Sequence, residues 1–304
     1  MRPNDNGLAA SLRRKLVNHR VDGEQLAGIQ SSAHLDCLLE QLVESVRRDK
    51  YIQHIQAQAH SPKRADPHSE LFDPIRAAII HHGTGNHDEA CWLVFISVHF
   101  GKHLKTKWRL ARDVYGRLGT TPIWTWSQTT QDLTGFKSWL ESSVPELKSG
   151  SPPRHFGNHR KYQKLARTGD VVESYINWVN GSHEQLIDLA VTANGNGPPR
   201  EVFQHLYKSM SEVKQFARTG IFDYLCMIGK LGLAPIEPGS TYMTGATGPY
   251  DGARMLFAGS PLSRADYDHL LIDLEATLGI GMQAIEDALC NWQKSPTVFK
   301  PFRG

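Results

Sequence analysis

Apolar residues recur at helical spacing along most of the chain. The first long run predicts a helix over about residues 33–59, because its apolar positions follow a 3.6-residue period. Similar patterns predict further helices at about 170–179, 183–192, 200–217, 221–231, 263–277 and 281–293. No segment alternates apolar and polar residues strongly enough to indicate a sheet. The sequence therefore predicts an all-α fold.

A polar stretch with prolines at residues 60–67 separates the first of these helices from the rest. It predicts an N-terminal helical region over residues 1–70, which we expect to be a cap or a partner surface. Residues 71–304 then form a larger helical domain that holds the candidate chemistry. A chain of 304 residues is long enough for one large domain or two modest ones.

Positive charge is concentrated in two segments. The formal net charge is +3, but residues 99–117 and residues 154–167 each carry +5, so the other residues together carry −7. Charge that is segregated in this way is what a polyanionic partner requires. A solvated helix face is the alternative for one basic segment alone, and the second segment favours contact with nucleic acid.

The first basic segment has the spacing of an amphipathic helix. Its apolar stripe comprises Leu104, Trp108, Ala111, Tyr115 and Leu118, and its basic stripe comprises Lys102, Lys105, Arg109 and Arg112. We expect the helix to bury the apolar stripe and to present the basic stripe to phosphates.

The second basic segment adds groups that suit bases as well as phosphates. Asn158 can form hydrogen bonds and Tyr162 can stack, beside the cations Arg160, Lys161 and Lys164. We predict Asn158 and these three cations, together with the basic stripe of the first segment, as the DNA-binding residues.

A glycine-rich stretch at residues 244–257 interrupts the helical pattern. Gly245 and Gly248 precede Pro249 and an apolar run, which predicts backbone N–H groups at a helix N-terminus, where an anion can bind. We therefore also predict Gly245 and Gly248 as DNA-binding residues, whose backbone would hold a phosphate. A plain tight turn is the alternative. The stretch is neither a P-loop nor a dinucleotide-binding fingerprint, because it lacks both motifs.

Carboxylates in apolar surroundings are the candidate catalytic groups. Glu286 and Asp287 are adjacent in the predicted helix 281–293, so they project about 100° apart beside its apolar face. One of them can therefore lie at the edge of a pocket. Surface pairing with Lys294 or an arginine is the alternative. Asp223 is the other carboxylate embedded in apolar sequence.

Several classes of protein are excluded by residue usage. The four cysteines lie far apart, which fits reduced thiols in a cytoplasmic protein and excludes a cysteine-rich zinc site or disulfide framework. The histidines lack metal-ligand spacing, so we predict no metal and no cofactor. No apolar run is long enough to cross a membrane, and the N-terminus lacks the pattern of a secretory signal.

Three segments together resemble a known family. Residues 220–233, residues 245–249 and residues 286–290 are similar to the alpha-glutamyl/putrescinyl thymine pyrophosphorylase family, clade 3, and the resemblance extends over about residues 85–304. The glycine-rich stretch is also similar to the helix-hairpin-helix loop of a DNA glycosylase superfamily, although that loop usually has one residue between its glycines and Gly245 and Gly248 are separated by two.

The resemblance implies a substrate. The family is linked to hypermodified bases of phage DNA, which implies a bacterial, cytoplasmic protein that acts on double-stranded DNA with modified bases. Its similarity to helical DNA glycosylases implies a glycosylase-like bundle with a glycine-rich hairpin loop. The site residues that the resemblance implies are Asn158, Arg160, Asp223, Lys230, Gly245, Gly248, Asp251, Glu286 and Asp287.

Taken together, these features predict a DNA N-glycosylase. We expect it to flip a bulky modified pyrimidine, such as glucosylated hydroxymethylcytosine, out of the duplex and to hydrolyse its N-glycosidic bond in defence against phage. The candidate catalytic carboxylates, in order, are Asp287, Glu286, Asp251 and Asp223. Lys230 is a candidate for a Schiff base or a pocket residue, and the sequence makes no prediction of oligomeric state.

Two alternatives remain at this level. One is a transferase that displaces pyrophosphate from an activated hydroxymethylpyrimidine in DNA, which the family's name implies. The other is a DNA-binding module without catalytic activity, for which the basic segments alone would suffice.

Overall fold

The structure, a computed structural model, describes residues 3–150, 153–258 and 262–302. These residues form fourteen α-helices and one two-stranded antiparallel sheet, β1 (Arg20–Val21) with β2 (Glu24–Gln25). The all-α prediction is therefore confirmed. The helices in chain order are α1 (Asn6–Asn18), α2 (Ser32–Gln56), α3 (Pro74–Gly83), α4 (His87–Phe100), α5 (Arg109–Tyr115), α6 (Trp126–Gln131), α7 (Leu133–Lys148), α8 (Leu165–Val179), α9 (His183–Ala193), α10 (Pro199–Ser209), α11 (Arg218–Lys230), α12 (Gly248–Leu256), α13 (Arg264–Leu278) and α14 (Met282–Trp292).

The chain divides into two compact units. Unit 1 comprises Met1–Gln53 and Pro238–Phe302, and unit 2 comprises His54–Glu237. This division differs from the boundary predicted near residue 70, because the N-terminal helices share a core with the C-terminal ones. Periodicity shows which face of a helix is buried, but it does not show which other helix covers that face.

The core of unit 1 is built by α1, α2 and α12–α14. Leucines of all these helices are buried together with Trp292. Two glycines let α12 approach α14 closely: a Cβ atom at Gly252 would lie 2.5 Å from the carbonyl oxygen of Leu289, and one at Gly248 would lie 2.9 Å from Sγ of Cys290. Contact at this distance is possible only without side chains.

The core of unit 2 surrounds α4, whose residues from Glu89 to Phe100 are all buried. Aromatic rings dominate this core, and Phe95 stacks on Tyr175 with 3.7 Å between ring centroids. A buried chain of hydrogen bonds crosses it. Tyr224 and Tyr175 hydroxyls lie 2.8 Å apart, Tyr175 lies 2.6 Å from Nε2 of His183, and Nδ1 of His183 lies 2.7 Å from Asp88.

The first basic segment is not one helix, and this part of the prediction is wrong. Helix α4 ends at Phe100, and the next residue, Gly101, has a φ of 66°, in the left-handed region that favours glycine. Residues 101–108 form a loop that includes a short turn, and α5 begins only at Arg109. Leu104 consequently lies outside the buried stripe in which the periodicity had placed it.

None of the helices in the part of the chain that the structure describes combines the length and hydropathy needed to span a membrane.

Candidate nucleic-acid-binding site

Unit 2 contains an open cavity of about 520 Å³ with a cationic lining. Leu110, Phe156 and Leu165 contribute apolar surface, and no carboxylate is among the described residues that line it. The charged or titratable groups around it are Lys148, Arg154, Lys161, Lys164, His103 and His155. A cavity with this lining suits a ligand that is anionic and partly apolar.

Two glycines bring the basic segments together. The amide N–H of Gly157 donates a hydrogen bond to the carbonyl oxygen of Phe100 at 2.8 Å. A Cβ atom at Gly157 would lie 2.9 Å from Cα of Gly101, so the two backbones touch. The loop that follows α4 therefore runs beside residues 154–160, and both segments reach the same cavity.

Some of the predicted DNA-binding cations are already paired within the protein. Arg112 forms ion pairs with Glu70 at 2.6 Å and with Asp113 at 3.0 Å. Asp113 also accepts from Nε of Arg154 at 2.5 Å and lies 3.6 Å from Nε of Arg109. The carboxylate of Asp113 thus compensates much of the arginine charge on one side of the cavity.

The predicted DNA-binding lysines, unlike the arginines, are not paired with carboxylates of the described residues. Lys102, Lys105, Lys161 and Lys164 are exposed, and none of them forms an ion pair with a carboxylate of the described residues. The ammonium group of Lys102 lies over the Trp108 ring at 5.6 Å. These four lysines are the strongest candidates for phosphate contacts.

Arg160 occupies a different place from the one predicted. Its side chain is 4% exposed, and the guanidinium donates to the carbonyl oxygen of Val98 at 2.7 Å, to the Tyr162 hydroxyl at 3.2 Å and to Asp223 at 2.7 Å. The Asp223 side chain is 38% exposed. Arg160 therefore holds a partly exposed carboxylate in position, and its own charge is directed into the protein.

The other predicted residues of unit 2 lie near this ion pair in the chain. Asn158 is half-buried in a short 3-10 turn, residues 158–160. Lys230 is half-buried at the end of α11, the helix that also carries Asp223. Seven residues separate the two on that helix, which corresponds to about 10 Å along its axis.

The glycine-rich loop belongs to unit 1, where α13 holds it in place. Arg264 donates from Nη1 to the carbonyl oxygens of Met243 and Ala246 at 2.6 Å each. The Asp268 carboxylate accepts from the backbone N–H of Met243 at 3.0 Å. Gly245 has a φ of 78°, and α12 begins at Gly248. The loop is thus a fixed turn that leads into a helix N-terminus.

Three predicted carboxylates lie in unit 1, and two of them belong to α14, the helix against which this loop packs. Gly248 packs against Cys290 of α14, one turn after Glu286 and Asp287. Glu286 is buried, whereas Asp287 is about one-third exposed and lies 3.4 Å from Nη2 of Arg48. Burial, and after it the charge of Glu286, raises the pKa of the Cys290 thiol to about 11.

Asp251 is exposed in the first turn of α12. A carboxylate at that position interacts favourably with the positive end of the helix dipole. Asp223 belongs to unit 2, so the four predicted carboxylates are distributed over both units.

Sequence reasoning missed two histidines and one lysine of the cavity. The ring centroids of His103 and His155 lie 5.0 Å apart. Burial lowers the pKa of His103, and the nearby His155 and Lys161 lower it further. Fifty-two positions separate the two histidines, and Lys148 lies at the end of α7, so no local pattern could have connected them.

Within the described ranges, no group of three or more histidine, cysteine, aspartate or glutamate side chains is arranged to hold a metal ion.

Comparisons with curated proteins and with solved structures give no match. A comparison with protein families matches residues 33–304 to the family described as alpha-glutamyl/putrescinyl thymine pyrophosphorylase clade 3. The match covers most of both units and confirms the resemblance seen in the three sequence segments. The chain therefore belongs to the alpha-glutamyl/putrescinyl thymine pyrophosphorylase family, clade 3.

Proposed function

We propose that the chain is a DNA N-glycosylase that removes a hypermodified pyrimidine from double-stranded DNA. The observation that carries this proposal is the cation-lined cavity of about 520 Å³ at which both basic segments meet. The family's description names a pyrophosphorylase of modified thymine, which supports a modified pyrimidine in DNA as the substrate.

The cavity has the size and lining for one extruded nucleotide. Small-molecule sites span about 300–1,000 Å³. Phe156 and Leu165 offer an apolar surface for the base, while Lys161 and Lys164 can neutralise the flanking phosphates. A nucleotide must leave the stack before its glycosidic bond becomes accessible, and lysine contacts to the backbone can hold the distorted strand.

A carboxylate can assist this reaction in two ways. When the bond between the sugar and the base breaks, its electron pair leaves with the base, which takes up a proton, and the sugar develops oxocarbenium-like charge. A carboxylate can stabilise that charge or take a proton from the water that adds to the sugar.

Two of the predicted carboxylates are partly exposed and are each oriented by an ion pair with an arginine. Asp223 is oriented by Arg160 in the unit that contains the cavity, and Asp287 is held beside Arg48. Glu286 is buried and Asp251 is widely exposed, so they fit the role less well.

The direct test is base release. The purified protein is incubated with phage DNA that contains glucosylated hydroxymethylcytosine and with the same genome lacking the modification. We expect abasic sites and a free modified base, detected by mass spectrometry, only from the modified DNA. Release that is lost in D223N or D287N, with DNA binding retained, identifies the carboxylate. Failure to release a base from any hypermodified genome contradicts the proposal.

A transferase is the second candidate, favoured by the family's description and by a cationic cavity that can also accept a diphosphate group. It predicts release of pyrophosphate that depends on an amino-acid or polyamine co-substrate, without abasic sites. A binding module without catalysis would instead retain its biological effect in D223N and D287N.

The biological part of the proposal is defence against phage in the bacterial cytoplasm, where the DNA substrate is found. We expect expression of the chain to reduce plaque formation by phage with hypermodified genomes. Phage with unmodified genomes serve as the control, and an equal reduction of both would contradict the proposed specificity.

A further inference from the structure

The loop that replaces the expected helix contains a closed turn at residues 103–107. The backbones of His103 and Lys107 exchange both hydrogen bonds, at 3.0 and 2.9 Å. Nδ1 of His103 accepts from the backbone N–H of Thr106 at 3.2 Å and lies 3.0 Å from its hydroxyl. The Lys107 ammonium donates to the carbonyl oxygen of Leu104 at 2.9 Å. These backbone and side-chain hydrogen bonds fix the shape of the turn.

The turn presents an apolar side chain among cations. Leu104 lies at the tip of the turn and is 49% exposed, whereas the leucines of both cores are buried. Lys102, Lys105 and Lys107 surround it in the chain, all exposed and without an ion pair to the described carboxylates. An isolated exposed leucine is common on protein surfaces, but a leucine on a rigid turn between three such lysines is a specific arrangement.

The turn also lies at the rim of the cation-lined cavity. His103, which closes the turn through both backbone hydrogen bonds, is one of the residues that line that cavity. Leu104, the next residue along the chain, therefore lies close to the cavity that is proposed to receive the extruded nucleotide.

We propose that Leu104 enters the DNA base stack and occupies the gap that the extruded nucleotide leaves. This inference rests on the proposed function and adds the device that keeps the duplex open. An apolar side chain that is inserted between base steps replaces the lost stacking, because the vacated space is apolar and flat. The three lysines bind the phosphates on either side and so bring the turn to the groove.

The arrangement explains why the exposed side chain is leucine. A lysine or glutamate at position 104 would carry charge into the stack, where it could not be solvated. A side chain on a flexible loop would lose conformational entropy on insertion, and the hydrogen-bonded turn avoids most of that loss.

The test measures base extrusion separately from base release. A duplex carries the hypermodified pyrimidine next to 2-aminopurine, whose fluorescence rises when its neighbour leaves the stack. We expect the wild type to raise the fluorescence and L104A to lower the extruded fraction about tenfold. L104F, which restores an apolar wedge, should recover most of the signal. L189A is the matched control, because Leu189 is 69% exposed on α9 of the same unit.

A second substrate separates a wedge from a merely structural residue. When the target lies in single-stranded DNA, no stack has to be opened, so L104A should bind and process it as the wild type does. An equal loss on both substrates would mean that the substitution disturbs the turn and would overturn the inference.

Other outcomes also decide the matter. A normal signal in L104A, or no signal from the wild type on any hypermodified duplex, rules out Leu104 as the wedge. Loss of the signal in Y162A but not in L104A would do the same, because Tyr162 is the other large exposed hydrophobic side chain of the basic segments. A normal rise in fluorescence without base release would contradict the glycosylase proposal and leave the wedge intact.

Discussion

His99 is a single side chain from which the pH dependence of stability can be derived. It is fully buried in the core of unit 2, where Nε2 lies 3.1 Å from the Thr168 hydroxyl and the ring stacks near Phe95. Burial, together with the nearby Arg160 guanidinium, lowers the pKa of His99 to about 3. The folded protein therefore keeps this imidazole neutral, whereas the unfolded chain protonates it below its ordinary pKa.

The lowered pKa makes the stability of the protein depend on pH. The contribution of the neutral His99 to the free energy of unfolding is fully present above pH 6.5 and is lost as the pH falls from 6.5 towards 3. Between pH 6.5 and 5 the loss should reach about 2 kcal/mol of unfolding free energy. We expect H99F to be less stable at pH 7, because it leaves the Thr168 hydroxyl buried without its partner, but to lose less stability on acidification.

Urea unfolding at pH 7 and pH 5 measures both effects. H205A removes an exposed histidine on α10 and should keep the pH dependence of the wild type. Equal acid sensitivity in H99F and the wild type would contradict the prediction.

Arg160 shows what residue-level reasoning could and could not predict. The sequence places Arg160 in a basic segment and predicts it as a site residue. It could not show that Arg160 is buried against Asp223, because 63 positions separate them and no periodicity connects the two segments. The apolar neighbours of Asp223 in the sequence make it a candidate, and the structure adds the cation that orients it.

At the scale of elements, periodicity located helices well where one face is buried. Helix α2 was expected at 33–59 and spans Ser32–Gln56, and α14 was expected at 281–293 and spans Met282–Trp292. The segment 99–117 also has helical spacing, yet the backbone at Gly101 ends the helix there. The spacing of side chains does not show where the backbone adopts a positive φ. That conformation costs glycine little free energy and costs other residues more.

Glycine contacts in unit 1 give a prediction at this scale. G252A places a methyl group against the backbone carbonyl of Leu289, which cannot move aside as a side chain can. We expect α12 and α14 to separate slightly at a cost of about 2 kcal/mol in unfolding free energy.

The matched variant is G7A, in α1 of the same unit. A Cβ atom there meets nothing within 4 Å, so the better helix propensity of alanine should raise the stability by about 0.5 kcal/mol. Thermal or urea unfolding compares the two variants. A neutral G252A would show that the helices can adjust at no cost.

For the whole molecule, the segregation of charge was visible in the sequence, but the cavity was not. Two segments about fifty residues apart meet because Gly101 and Gly157 let their backbones touch. The sequence also could not show that Asp113 neutralises part of the arginine charge, since Arg154 reaches it from 41 positions away. The positive charge that remains available to a polyanion is therefore carried mainly by lysines.

This leads to a prediction for the salt dependence of DNA binding. Replacement of Lys161 and Lys164 by glutamine removes two phosphate contacts, so the slope of log K against log salt concentration should decrease in magnitude by about 1.8. Fluorescence anisotropy of a labelled duplex at several salt concentrations gives the slope. K63Q/K208Q changes two exposed lysines outside the basic segments and should leave the slope unchanged.

The division of the chain also has a consequence for its synthesis on the ribosome. The described residues of unit 2 all lie in one stretch of the chain, His54–Glu237, whereas unit 1 needs residues from both sides of that stretch. At about 5–20 residues per second, the N-terminal helices emerge roughly ten to forty seconds before the C-terminal helices that complete their core. During that interval the buried faces of α1 and α2 are without their final partners, while unit 2 can already fold. The nascent chain therefore exposes apolar surface at its beginning for longer than in its middle, and this is where a chaperone would be expected to bind it.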